Sequence, residues 1–424
     1  MISICVPTQN AGTTFRHTLA LWREQEVDED AELVVMDSGS TDDTVEQCRA
    51  AGAVVSQIPP EMFNHGETRN QLARQARGDV LIFTVQDAWP ANRAVLRELV
   101  QPLRDDAGLA GVSGRQLPRP DADFLGRWET TQLARILGAQ ARRKRLASWT
   151  EFLSLDLAGR FASVSFDNVC SAIRRTTWEA MPFAQIDFGE DLDWAVRVLR
   201  GGGTVLFNPR AGVFHSHCRP PLAWMRRYFL GRRRTNHILQ MPAEYPELDD
   251  ETAMQAIQRF HTRVANFIDK RWNQQVLAGL ARAVILLMPE ALQRPLRALG
   301  LLGKHYFINW QSGTRPVLTL GHLWLQVLRS NGVVPSAQVG LVARQLEAVI
   351  LGEFLGSYYH TCEVQHRLSP RLVSLGQWLA GSNSDGLTAA EESGGGLEPV
   401  FSLFRRACPS VPAEALATTD GSGQ

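Results

Sequence analysis

Short apolar runs alternating with stretches of helical spacing fill the first 120 residues, and few folds accommodate that rhythm. Residues 2–6, 33–36, 54–58 and 80–85 are apolar runs. Residues 13–25, 41–51, 68–76 and 93–103 carry apolar side chains three and four apart. A run with little polar alternation is a strand covered on both faces, which is the habit of parallel strands joined by helical crossovers. The fold class expected for residues 1–220 is therefore α/β, a sandwich with a mainly parallel central sheet. Ser40 and Asp43 stand at capping-box spacing ahead of the second helix. Strand-like pieces within 161–173 and 203–213 flank a helix that starts near Glu190. From residue 222 to 375 helical spacing dominates, so residues 221–380 are expected to form a mostly helical C-terminal region. Residues 381–424 are rich in Gly, Ser, Ala and Glu and read as a flexible tail.

At 424 residues the chain is long enough for two or three domains. Its 44 basic and 44 acidic residues balance, so no global field draws it to nucleic acid or anionic lipid. The six cysteines are scattered without a C-x-x-C pair, which signals neither a zinc site nor a redox motif. Met1-Ile2-Ser3-Ile4-Cys5-Val6-Pro7 lacks the charged and long apolar regions of a signal peptide, and a cytoplasmic location is expected. The most apolar stretch, 276–288, is short and interrupted by Arg282, so no membrane span is expected.

In an open parallel sheet, ligands bind beyond the carboxyl ends of the strands. Four polar groups fall at such ends: Pro7-Thr8-Gln9-Asn10, Asp37-Ser38-Gly39-Ser40-Thr41-Asp42, Gln86-Asp87-Ala88, and Glu190-Asp191 with His215 and His217. No G-x-G-x-x-G follows the first run and no G-K-[ST] occurs, which excludes the dinucleotide fingerprint and the P-loop. Asp37 reads either as a turn residue or as an acceptor for a ribose or base. Asp87 reads either as a turn acid before Pro90 or as an oxygen ligand for a hard divalent cation. Asp191 is either a helix-start acid favoured by the dipole or a general base. His215 and His217 alternate along a strand end and so point the same way; they are structural, or they ligate a metal or handle a proton.

Taken in order, these elements resemble glycosyltransferase family 2, whose catalytic domain has the GT-A fold. The matching segments are Val6-Pro7-Thr8-Gln9-Asn10, Met36-Asp37-Ser38-Gly39-Ser40-Thr41-Asp42, Phe63-Asn64-His65-Gly66-Glu67-Thr68-Arg69-Asn70, Gly78-Asp79, Gln86-Asp87-Ala88-Trp89-Pro90, Phe188-Gly189-Glu190-Asp191 and His215-Ser216-His217. The third and fifth look most like the rhamnosyltransferase branch. The likeness covers about residues 1–235. It implies that Pro7, Thr8 and Asn10 line a nucleotide pocket, that Asp37 holds the base or ribose, and that Arg69 and Asn70 lie beside the nucleotide. Asp87 matches the last acid of the family's DxD motif, here Val85-Gln86-Asp87, with Gln86 on the donor side. His215, with His217 second to it, completes a metal site for Mg²⁺ or Mn²⁺. Asp191 matches the catalytic base, and Glu190 orients it or the acceptor.

The resemblance thus implies an inverting transfer of a sugar, rhamnose by branch, from a nucleoside-diphosphate sugar to a hydroxyl of a glycan or lipid-linked acceptor. Asp37, Asp87, Asp191 and His215 are expected to line one cleft, and the 221–380 region to pack on the acceptor side. Arg142-Arg143-Lys144-Arg145 is read as part of a helix or loop. The basic and aromatic residues of 219–234 read either as a solvated face or as a peripheral contact with the inner face of the cell membrane. Nucleic acid is not an expected partner. A nucleotidyltransferase acting on sugar phosphates, or an inactive nucleotide-sugar-binding module, are the alternatives.

Overall fold

A computed structural model of the protein describes residues 1–269 and 339–380. The 381–424 tail, the apolar stretch 276–288 and the middle of the helical region lie outside the described residues. The backbone divides into two units. One comprises Met1–Cys218 with His237–Met241; the other begins with Arg219–Asn236 and resumes at Pro242.

The first unit runs β1 (Ile2–Thr8), α1 (Phe15–Arg23), β2 (Ala31–Asp37), α2 (Thr44–Ala50), β3 (Val54–Gln57), α3 (His65–Gln75), β4 (Val80–Thr84), β5 (Trp89–Pro90), α4 (Val95–Asp105) and β6 (Leu109–Leu117). It continues through α5 (Phe124–Leu137), β7 (Arg142–Lys144), α6 (Trp149–Ser154), α7 (Leu157–Val164), β8 (Cys170–Arg174), α8 (Arg175–Ala180), α9 (Glu190–Arg200) and β9 (Thr204–Phe214). One sheet joins the strands in the order β3-β2-β1-β4-β8-β6-β9-β5, with β7 on β9. The β1–β2, β1–β4, β2–β3 and β6–β9 pairings are parallel. β8 runs antiparallel to both β4 and β6, so β6 and β9 point the same way as β1 to β4. The sheet is mostly parallel, and the carboxyl ends of β1, β2, β4, β6 and β9 share one edge.

The unbroken apolar runs have a direct cause. Along β1, Ile4 and Val6 enter a core with Phe15, Leu19 and Trp22 of α1, while Cys5 enters the opposite core with Leu72 and Ala73 of α3. In β4, Ile82 joins the first core while Leu81 and Phe83 join the second. Both faces are covered, so both parities must be apolar.

The strand-like piece expected within 161–173 is β8, which begins at Cys170; residues 157–164 ahead of it form a helix, whose first turn Asp156 caps by accepting from the Gly159 N–H at 2.8 Å. Two local expectations differ from the structure. Ser40 and Asp43 do not make a capping box: Ser40 gives its hydroxyl to Asp37, and Asp42 instead accepts from the Thr44 N–H at 3.1 Å. The basic run at 142–145 contains a strand, not a helix or loop. β7 pairs with β9 in register Lys144↔Val205, and the buried Lys144 ammonium donates to Ser165 O and Oγ at 2.5 and 2.6 Å. A positively charged run conceals a strand when one of its side chains finds buried acceptors.

The second unit contains α10 (Pro221–Ile238), which enters the first unit at its last two residues, with α11 (Asp250–Asp269), α12 (Val339–Val364) and α13 (Pro370–Ala380). α12 presses on α10 through Gly352 and Gly356, where a Cβ would stand 2.5 Å from Met225 O and 2.6 Å from Phe229 O. The basic residues here turn inward. Arg232 pairs with Glu244 at 2.6 Å, Arg233 with Glu363 at 2.5 Å, and Arg226 lies 4.7 Å from the centre of the Trp378 ring. These three guanidiniums are engaged inside the unit. Among the described residues, no helix is long and apolar enough to cross a membrane.

Candidate active site

At the shared edge, parallel register sets Thr8 beside Asp37. The loops after β1 and β2 are fastened together by polar contacts. Asn10, at a φ of 45°, accepts the Thr41 N–H through Oδ1 at 2.8 Å and donates its own N–H to Ser40 Oγ at 2.7 Å. Asp37 is fully buried; its Oδ1 accepts the N–H groups of Gly39 and Ser40, and its Oδ2 the hydroxyls of Thr8 and Ser40. That carboxylate organises the loop, and the edge offers a ligand the exposed Gln9 and Asn10. Pro7 and Thr8 are buried.

Gln86 ties β4 to this loop from both ends of its amide. Its Oε1 accepts the Gln9 N–H at 2.7 Å and its Nε2 donates to Gln9 O at 3.0 Å. A carboxylate at this position could make only the first of these contacts. Gln86→Glu is therefore expected to loosen the Gln9 loop at a cost of about 1 kcal/mol, which thermal melting would read.

The next residue begins a compact donor cluster. His215 Nε2 and His217 Nδ1 each approach a different oxygen of Asp87 at 3.5 Å. One ligand atom from each of the three residues lies within 4.8 Å of the others. The imidazoles meet edge to face with centroids 4.5 Å apart. Burial works against the Asp87 charge, but the imidazoles beside it outweigh that and hold its carboxyl well below the usual range. One carboxylate and two imidazoles within reach of a single point could hold a divalent cation that accepts mixed oxygen and nitrogen donors.

Glu190 and Asp191 open α9 after Gly189, whose φ of 79° turns the chain into the helix. Their fates diverge. Glu190 is paired with Arg69 at 3.1 Å and accepts from Asn168 Nδ2 at 3.3 Å. Although burial opposes its charge, Arg69 and His65 hold its pKa below the ordinary value. Asp191 accepts backbone N–H groups instead, that of Asn168 on Oδ2 at 3.0 Å and that of Leu192 on Oδ1 at 2.7 Å. Burial, and then the neighbouring charges of Glu190 and Asp167, push its pKa up to about 8. Arg69 and Asn70, which the resemblance sets beside the nucleotide, have their side chains turned inward. Arg69 is on Glu190, and Asn70 fastens Phe183 through both backbone groups at 3.0 Å and accepts from Trp178 Nε1.

Three residues that the sequence reading did not single out connect these clusters. Gln116 Oε1 meets His215 Nδ1 at 2.8 Å, and Gln116 Nε2 donates to Asp167 Oδ2. Asp167 adjoins Asn168, the donor to Asp191. The only sequence signal was a polar Asp167-Asn168 pair just ahead of a strand. Because β8 is antiparallel, its start, rather than its end, lies at the functional edge.

Residues 3–165 match the family model described as Glycosyl transferase family 2. The chain is 33% identical over 237 residues to the O-antigen chain rhamnosyltransferase WbaN of Salmonella anatum, spanning 54% of this chain and 70% of that one. It is 32% identical over 236 residues to the O-antigen chain rhamnosyltransferase RfbN of Salmonella typhimurium, with the same shares. A solved mannosyltransferase from Pyrobaculum calidifontis is similar at 17% identity and a TM-score of 0.42, over 83% of this chain and 86% of that one.

Proposed function

The chain belongs to glycosyltransferase family 2, and on that premise we propose that it transfers rhamnose, with inversion, from a nucleoside-diphosphate sugar to a hydroxyl of a glycan or lipid-linked acceptor. The observation that carries the mechanism is the pairing of a cation-ligating cluster, Asp87, His215 and His217, with a separate carboxyl at Asp191 that burial makes basic. Rhamnose comes from the two rhamnosyltransferase relatives.

In this reading the loop of Gln9 and Asn10, with the Pro7–Thr8 backbone beneath it and Asp37 and Gln86 holding its shape, receives the nucleotide. Asp87, His215 and His217 would hold a divalent cation, which when bound would neutralise the leaving diphosphate. The acceptor oxygen forms a bond to the anomeric carbon as the bond from that carbon to the diphosphate oxygen breaks. The electron pair leaves with the diphosphate. Asp191 takes the acceptor's hydroxyl proton, and Glu190, fixed by Arg69, keeps Asp191 oriented and electron-rich.

A base must be deprotonated to act. With its pKa pushed up to about 8, Asp191 is mostly protonated at pH 6 and mostly ionised at pH 9. Turnover at saturating donor should therefore rise about tenfold per pH unit at low pH and level off near that value. Glu190→Gln removes the adjacent charge, so the level-off point should move to lower pH. It also leaves the buried Arg69 without its counter-ion, a loss of about 3–5 kcal/mol that thermal melting would read. A pH profile unchanged by Glu190→Gln would separate the two carboxylates functionally.

A thermal-shift panel of dTDP-, UDP- and GDP-sugars with Mn²⁺ tests the donor assignment. A nucleoside-diphosphate rhamnose should give the largest stabilisation, lost in EDTA. Equal shifts from every sugar on one nucleotide would sink the rhamnose assignment.

A further inference from the structure

We infer that Gln116 is a positioning residue for the cation site: it fixes His215 as the Nδ1–H tautomer and thereby directs the Nε2 lone pair at the position shared with Asp87 and His217. The inference rests on the cation-site reading above and adds to it a residue outside the ligand set.

Hydrogen-bond polarity fixes where the His215 proton lies. The Asp167 oxygen accepts, and the Gln116 atom facing it is the amide nitrogen. The other end of that amide, Oε1, then faces His215 Nδ1 at 2.8 Å. An amide oxygen only accepts, so Nδ1 must carry the proton. In a neutral imidazole that leaves Nε2 without one, and Nε2 is the atom 3.5 Å from Asp87 Oδ1. Each link dictates the next, and the chain starts from a group whose role is unambiguous.

The backbone makes this arrangement repeatable. Gln116 sits in β6 opposite Val213 of β9, and the His215 N–H donates to Leu117 O at 2.9 Å. The parallel ladder therefore fixes the two side chains relative to each other. His215 is buried, so solvent does not compete for Nδ1. Asp167 is itself anchored, since its Oδ1 accepts the Val169 N–H at 2.9 Å. A ligating histidine whose second nitrogen is held this way binds its ion with a set ring orientation and a set tautomer. Gln is suited to the position where Glu is not, because it must accept from a histidine and donate to a carboxylate at once.

The test reads the tautomer first and the metal second. Long-range ¹⁵N–¹H correlation on metal-free protein, recorded at a pH where the His215 ring is neutral and with His215 assigned through His215→Gln, should report protonated Nδ1 and bare Nε2. In Gln116→Leu that pattern should give way to Nε2–H or a mixture, and Mn²⁺ affinity, read by electron paramagnetic resonance, should fall by about 10–100-fold. A merely structural Gln116 would lower the melting temperature without moving the tautomer. The double variant Gln116→Glu with Asp167→Asn restores the pattern in reverse, with the carboxylate accepting from both neighbours. It should recover the Nδ1–H tautomer and most of the Mn²⁺ affinity, and it serves also if Gln116→Leu fails to fold. An unchanged tautomer in folded Gln116→Leu, or Nε2–H in the double variant, overturns the inference. Failure of the unaltered protein to bind Mn²⁺ would overturn the cation-site reading beneath it, whatever the tautomer.

Discussion

Asp191→Asn should lower turnover by about 10²–10⁴-fold while leaving donor affinity close to its original value. The exchange is nearly isosteric: an amide oxygen can still accept the Asn168 N–H at 3.0 Å, while the amide's NH2 end replaces the oxygen that now accepts the Leu192 N–H at 2.7 Å. What disappears is a basic oxygen, required only as the acceptor hydroxyl loses its proton. The loss corresponds to about 3–5 kcal/mol of barrier. Removing a charge that burial, Glu190 and Asp167 disfavour offsets the lost Leu192 contact, so the melting temperature should not fall. An inactive variant that is as stable as the original, or more so, is the signature of a group kept for chemistry. Turnover with acceptor in excess, donor calorimetry and a melting curve together check it. Full turnover in Asp191→Asn would remove Asp191 from the base role.

Asp87→Asn should act at a different stage, weakening cation and donor together by on the order of 10²–10³-fold, about 3–4 kcal/mol. Asp87 is the one anionic member of the cluster, and both imidazoles face it at 3.5 Å. An amide there keeps one weak oxygen ligand and loses the charge. Mn²⁺ titration by paramagnetic resonance reads the first effect, and nucleoside-diphosphate calorimetry the second. Unlike Asp191→Asn, this variant should be partly rescued by raising the cation concentration. Loss of turnover with unchanged Mn²⁺ affinity would contradict the assignment.

The sequence made some of this legible and hid the rest for physical reasons. The strands of the first half were readable because cores on both faces of the sheet demand uninterrupted apolar runs, as at Ile4, Cys5 and Val6. Asp87, Asp191, His215 and His217 were readable because each follows or starts an element at an edge where a polar residue is conspicuous. Gln116 was not: an amide inside a strand has no local signature, and its function depends on what lies across two other strands. Asp167 and Asn168 were missed because strand direction is not encoded in a short apolar run, and an antiparallel β8 inverts which end matters. Lys144 was misplaced because four consecutive basic residues read as solvated, whereas its ammonium is satisfied internally by Ser165. The inward turn of Arg232 and Arg233 had the same cause: their partners Glu244 and Glu363 are up to 130 residues apart in sequence from them.

The central claim, that Asp87, His215 and His217 hold a cation against the diphosphate of the donor, is tested most directly by one calorimetric comparison. A nucleoside diphosphate and the matching monophosphate are titrated into the unaltered protein, each with Mn²⁺ and with EDTA. The account predicts that the diphosphate binds on the order of 10²-fold more tightly with Mn²⁺ than with EDTA, and that the monophosphate gains far less, because it carries less charge for a cation to neutralise. Equal diphosphate affinity in Mn²⁺ and EDTA would contradict it.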